Sequence, residues 1–169
     1  MKNKIRLIFL KQRFWTFLTC LFILGLSNLQ AQTYTPADVA AAISSGTPLT
    51  GTDIIIPSMT VPNNATAGTL TINATGTVTI GNLDLSGVAG TAPAGSSSIQ
   101  RTGKNGHKLV ITAGGIVTIT GIINTSGGNA VPPVVLGEFA VDREAGVGGN
   151  AGDVTINADQ INISSAITA

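Results

Sequence analysis

Three neighbouring residues in a Gly-rich stretch, Asp142, Arg143 and Glu144, form the sharpest cluster of charge in this 169-residue chain. Two carboxylates beside a guanidinium suit contact with a sugar or a cation, and the same trio fits a solvated loop tip whose ion pair contributes little. His107, the single histidine, stands near Lys104 and Lys108. A lone imidazole with no second ligand or acid nearby in sequence offers little to a metal or a catalytic triad, and it reads as a surface histidine. Gly148, Gly149, Asn150, Ala151, Gly152 and Asp153 approach the nine-residue calcium repeat, but the motif occurs once with its third glycine displaced, so no calcium site is expected. A polysaccharide lyase or hydrolase needs grouped carboxylates, as an acid and base pair or around calcium. The acids here are scattered. Asp84 lies in a strand, and its equivalents further on are Ile123 or Asn124 and then Ala166 or Thr168. No catalytic, cofactor-binding or metal-ligating residue is therefore assigned, no cofactor is expected, and Asp142, Arg143 and Glu144 stand as a candidate loop contact.

The elements that would position these residues repeat. TLTINATGTVTIGNLDLSG, KLVITAGGIVTITGIINTSGG and DVTINADQINISSAITA align with Leu70, Leu109 and Val154 in one place. Leu70 and Ile72, Leu109 and Ile111, and Val154 and Ile156 lie two apart, so each pair points to one face of an extended strand. A second strand carries Val78 and Ile80, Val117 and Ile119, Ile161 and Ile163. A third carries Leu83 and Leu85, Ile122, and Ile167. The breaks hold Asn73, Ala74 and Gly76, then Ala113, Gly114 and Gly115, then Asn157, Ala158 and Asp159, which tolerate left-handed or tight-turn angles. Three strands per repeat, each stacked on its counterpart, predict an all-β fold: a right-handed parallel β-helix, a three-sided solenoid of about four coils.

Spacing between repeats exceeds one bare coil, and the excess lies in Gly-rich insertions at 88–105 and 129–151. Both leave after the third strand, so both should project from one edge, where variable and functional loops belong. Ahead of the repeats, Thr35, Pro36, Ala37 and Asp38 read as a helix start with a capping hydroxyl, proline at the first position and an acid in the first turn. Val39 to Ile43 supply a short helical run, and Gly46 a left-handed stop. Ile54, Ile56, Met59 and Val61 read as a first, irregular coil. The helix is expected to cap the open end of the core. The other end, Ile167 to Ala169, is expected to be uncapped, exposing strand edges and apolar residues as in a truncated piece of a longer protein.

Composition fits thin strands: charged residues are 10% and aromatics 4%, against 43% hydrophobic and 21 glycines. Five of the nine basic residues precede position 14 and lead into an apolar stretch from Phe14 to Leu26. That is the pattern of a secretory signal peptide over 1–31, cleaved after Ala31, the alternative being an uncleaved anchor. Residues 32–50 then form the capping helix and linker, and 51–169 the β-helix. Cleavage leaves four basic residues against eight acidic ones. Such a chain has no basic face for nucleic acid. Cys20, the only cysteine, falls in the leader, so no disulfide is expected.

GGNAGDVTINADQINISSAI, at Gly148 to Ile167, resembles repeats in filamentous-haemagglutinin-like adhesins, large secreted β-helical surface proteins of Gram-negative bacteria. ATGTVTIGNLDLSG and AGGIVTITGIINTSGG have the same cast. The helix followed by Asp53, Ile54, Ile55, Ile56 and Pro57 is also similar to the start of right-handed β-helix domains in the pectin-lyase-like group. One departure is plain: neither Asn-Pro-Asn-Gly nor Asn-Pro-Asn-Leu occurs, and Val61, Pro62, Asn63, Asn64 is no substitute. The resemblance implies a secreted or cell-surface structural or adhesive protein, not an enzyme, whose partner is a surface glycan or other cell-surface ligand. The membrane enters only through the export signal, and the C-terminal edge pairs with further repeats or another chain. The alternative is the N-terminal part of a carbohydrate-active β-helix enzyme whose catalytic coils lie elsewhere.

Overall fold

Alternation of branched apolar residues with Thr and Asn favours extended backbone, because the branched side chains pack on one pleated face while the polar ones meet water on the other. The computed structural model describes residues 30–61, 67–91, 102–132 and 146–169, and the elements below belong to the unit Ala31–Ala169. A first sheet has the order β11-β8-β5-β2, with β2 at Leu49–Gly51, β5 at Thr69–Ala74, β8 at Lys108–Ala113 and β11 at Val154–Asn157. In the second sheet the order is β1-β3-β6-β9-β12, from β1 at Gln32–Thr33 and β3 at Ile54–Ile56 through β6 at Val78–Ile80 and β9 at Ile116–Ile119 to β12 at Gln160–Ile163. The third sheet runs β13-β10-β7-β4, from Ile167–Thr168 and Ile123–Asn124 to Leu83–Asp84 and Met59–Thr60. All the pairings are parallel.

Register places like on like. Leu49 pairs with Ile72, Ile72 with Ile111 and Ile111 with Ile156. Ile54, Val78, Val117 and Ile161 form a second row, and Met59, Leu83, Ile123 and Ile167 a third. A slip of one residue would turn each row outward, so burial of these rows fixes the register. Leu70, Ile72, Val78, Ile80, Leu83, Leu85, Leu109, Ile111, Val117, Ile119 and Ile123 are fully buried in one cluster. Three parallel sheets, one short helix and a shared core fit a parallel β-helix in general.

The third strand of the second repeat corrects the sequence reading. Ile123 is inward and fully buried, whereas Ile122 is 49% exposed. Two adjacent isoleucines leave the alternation ambiguous, and the next inward place, held by Leu85 in the preceding repeat, is taken by Thr125. That threonine is fully buried, with its hydroxyl donating to the Gly152 carbonyl at 2.8 Å. A satisfied hydroxyl can occupy a core position.

Helix α1, Pro36–Ser45, starts as the sequence predicts. Thr35 accepts from the Asp38 N–H and Asp38 returns the bond to the Thr35 N–H, a full capping box, with Gly46 left-handed at φ 69° beyond the last turn. Val39, Ala42 and Ile43 enter the core cluster. The helix joins β1 to β2, edge strands of the second and first sheets.

The bases of the Gly-rich insertions are packed elements in their own right. The segments near 87–90, 103–106, 126–129 and 147–152 bond to one another at three-residue intervals. Gly87 and Gly90 donate to Ser126 and Asn129, Gly103 and Gly106 to Val147 and Asn150, and Gly149 and Gly152 to Gly128 and Thr125. Three residues per turn with no internal bonds is the habit of polyproline II backbone, which must find its partners in neighbouring segments. Glycine is needed here for closeness. A Cβ on Gly128 would strike the Val88 carbonyl, one on Gly87 that of Lys104, and one on Gly103 that of Gly128. Gly46 is the sole described glycine with positive φ, so the turn glycines at 76, 114 and 115 do not use left-handed angles. They sit against the backbone of the preceding repeat, Gly114 against Thr75 and Gly115 against Gly76.

At the last strands the core opens. Val154 and Ile156 of β11 are half-buried against the cluster, while Ile161, Ile163 and Ile167 of β12 and β13 are exposed. No helix among the described residues is long and apolar enough to cross a membrane.

Candidate functional site

The third sheet turns two polar ridges outward. Two of its strands, β4 and β7, have the form polar, inward apolar, polar, so residues two apart flank one core side chain: Ser58 and Thr60 around Met59, Asn82 and Asp84 around Leu83. Ile122 and Asn124 follow around Ile123, with isoleucine replacing one polar member. In register, Thr60 meets Asp84 and Asp84 meets Asn124. Between the ridges runs a shallow groove of about 460 Å³ lined by these side chains.

The ridges are tied down. Asp84 Oδ1 accepts from the Ser86 N–H at 3.0 Å and from Asn124 Nδ2 at 3.1 Å. Asn124 repeats the turn one strand on, its Oδ1 accepting from the Ser126 N–H at 3.1 Å and hydroxyl at 2.7 Å. On the other ridge, the Asn82 N–H donates to Ser58 Oγ at 3.0 Å, and Asn82 Oδ1 accepts from the Ile122 N–H at 2.8 Å. The bonds to Ser86 and Ser126 are Asx-type turns, which hold short polar side chains against their own backbone, whereas those joining Ser58, Asn82 and Ile122 run between neighbouring strands. Among the described residues, Asp84 Oδ2 and the Asn82 amide nitrogen engage no protein partner. The groove thus offers an oriented anionic acceptor beside a neutral donor, and among the described residues no cationic side chain lines it.

The other sequence candidates lie elsewhere. Asp142, Arg143 and Glu144 fall outside the described residues. The surface placement expected for His107 is overturned: it is 6% exposed, and its Nδ1 accepts the Gly68 N–H at 2.9 Å. Burial holds the ring below the ordinary histidine pKa, and accepting a backbone N–H at Nδ1 likewise belongs to the neutral ring. The imidazole is buried just ahead of β8 and satisfies a backbone donor just ahead of β5. Asp153, from the calcium-like stretch, pairs with Lys108 at 2.7 Å on the exposed surface. Asp53 accepts from both the N–H and the hydroxyl of Thr77, bonds that hold its carboxyl below the usual range. No group of three or more His, Cys, Asp or Glu suited to a metal occurs among the described residues.

Sequence reasoning noted Asp84 and its counterpart Asn124 without giving either a role, and missed Ser58, Thr60 and Asn82. The usable signal was the recurrence of polar residues two apart around a single core residue, which becomes a site only once the register stacks these pairs. No protein-family model, curated protein or solved structure matches this chain.

Proposed function

We propose that the chain is a right-handed, three-sided parallel β-helix of about four coils that serves as a structural or adhesive module of an exported surface protein. The observation that carries this reading is the in-register stacking of three parallel sheets over one core, with Gly-rich arms bonded to each other beside it. Such a stack is a stiff scaffold, since the inner strands of each sheet are held on both sides and the arm bases are spaced by backbone bonds. A general tendency supports right-handedness: a strand returning to its own parallel sheet crosses right-handed in about 98% of cases. Helix α1 packs its Val39, Ala42 and Ile43 into the core, and Ile161, Ile163 and Ile167 present an exposed apolar face on β12 and β13. The basic and apolar leader over 1–31 supports export.

Surface labelling of intact producing cells, paired with adhesion of beads coated with the purified protein, tests this. The protein should be open to external protease on intact cells, and coated beads should adhere to cells or glycan-bearing surfaces. A protein retained inside the cell, or beads that adhere no better than albumin-coated ones, overturns it.

A further inference from the structure

We propose that the groove on the outer face of the third sheet binds a neutral saccharide lying across β4, β7 and β10, a proposal that rests on the surface-adhesion reading and names its ligand. The argument begins with spacing. Parallel strands repeat about every 4.8 Å, close to the length of one pyranose ring, so successive residue pairs along the groove meet successive sugars. Each pair presents hydroxyl, amide or carboxylate groups, which recognise the mixed donor and acceptor pattern of sugar hydroxyls.

Asn82 and Asp84 are the centre of the site. They stand on one strand either side of buried Leu83, each with one oxygen already fixed by the protein. Asp84 Oδ2 accepts from one sugar hydroxyl while the Asn82 amide donates to another. Because both side chains are held before any ligand arrives, little rotamer freedom is lost on binding. Ile122 gives an apolar patch for the C–H face of a ring at the next step. Charge selects the class: a carboxylate with no cation among the described lining residues disfavours uronates, sulfated sugars and phosphates.

Amide chemical shifts of the folded protein, followed during millimolar titration with cellotriose, maltotriose, triacetylchitotriose and trigalacturonate, test the site. At least one neutral trisaccharide should shift the amides of residues 82–84 and 122–124 saturably, and trigalacturonate should bind at least about ten-fold more weakly. Asp84→Asn should weaken the neutral sugar by about ten-fold, since a charged acceptor is lost. That variant retains the fold, because asparagine already makes the same turn at Asn124. Ile122→Arg, at a half-exposed position, should block binding and leave the circular dichroism unchanged. Absence of a saturable groove shift with every neutral sugar, equal or tighter binding of trigalacturonate, or unaltered affinity in both variants overturns the proposal. Bead adhesion by the same variants separates the two claims. Adhesion that persists in Asp84→Asn and Ile122→Arg sinks the groove and leaves the surface role standing, whereas wild-type beads that fail to adhere sink the surface role itself.

Discussion

His107 shows how a side chain's environment is set by a residue far away in sequence. Its neighbours Lys104 and Lys108 suggest solvent, and nothing local announces that the Gly68 N–H, 39 residues earlier, needs an acceptor here. The consequence is a pH dependence of definite sign. Burial lowers the folded-state pKa below 6.5, so the folded protein binds fewer protons at His107 than the unfolded chain does. The associated stability is intact above about pH 6.5 and is lost as pH falls through that value toward the lower folded pKa. Denaturant unfolding should show the wild type weakening across this window and His107→Gln, whose amide oxygen can still accept from Gly68, staying flat. Matching slopes for the two proteins would contradict the burial account. Carboxylates titrate lower: Asp38 and Asp53, both held below 3.8 by hydrogen bonds to Thr35 and Thr77, add their losses only in stronger acid.

Elements differ in how legible they are. The first two strands of each repeat alternate cleanly and could be read directly, as could α1, whose cap residues Thr35, Pro36, Asp38 and Gly46 each have a local mechanism. The third strand is two residues long in each repeat, too short for periodicity to choose between Ile122 and Ile123. The Gly-rich arms escaped for another reason: their order comes from bonds between separate insertions, and glycine content alone reads as loop. Gly128 tests this most sharply, because it donates to Lys104, accepts from Gly149 and lies against Val88. Gly128→Ala should destabilise the arms by about 2 kcal/mol or more. Hydrogen exchange should then accelerate in the peptides covering 86–91, 102–106 and 146–152 while β5 and β8 stay protected. Unchanged exchange in the arms would mean that they do not pack as one unit.

For the whole molecule the decisive feature is one core shared by three parallel sheets, which the repeat pattern foretold, while the outward groove needed the register to assemble it. Ile119 and Ile163 are register partners, yet Ile119 is fully buried and Ile163 is 46% exposed. A buried unpaired carboxylate costs several kcal/mol, so Ile119→Asp should abolish cooperative unfolding. Ile163→Asp should cost about 1 kcal/mol or less. Equal tolerance would place the core elsewhere. The register itself is tested most directly by cysteine pairs in a Cys20→Ser background, which removes the only native thiol. Thr79 and Thr118 are partners on adjacent outward positions, about 4.8 Å apart by strand spacing and within the disulfide range of roughly 4.4–6.8 Å. Thr79→Cys with Thr118→Cys should oxidise to an intramolecular disulfide without change in circular dichroism. Thr79→Cys with Ile116→Cys, two residues out of register, should stay reduced. A disulfide in the second pair but not the first would contradict the parallel stack on which the groove, the arms and the proposed function all depend.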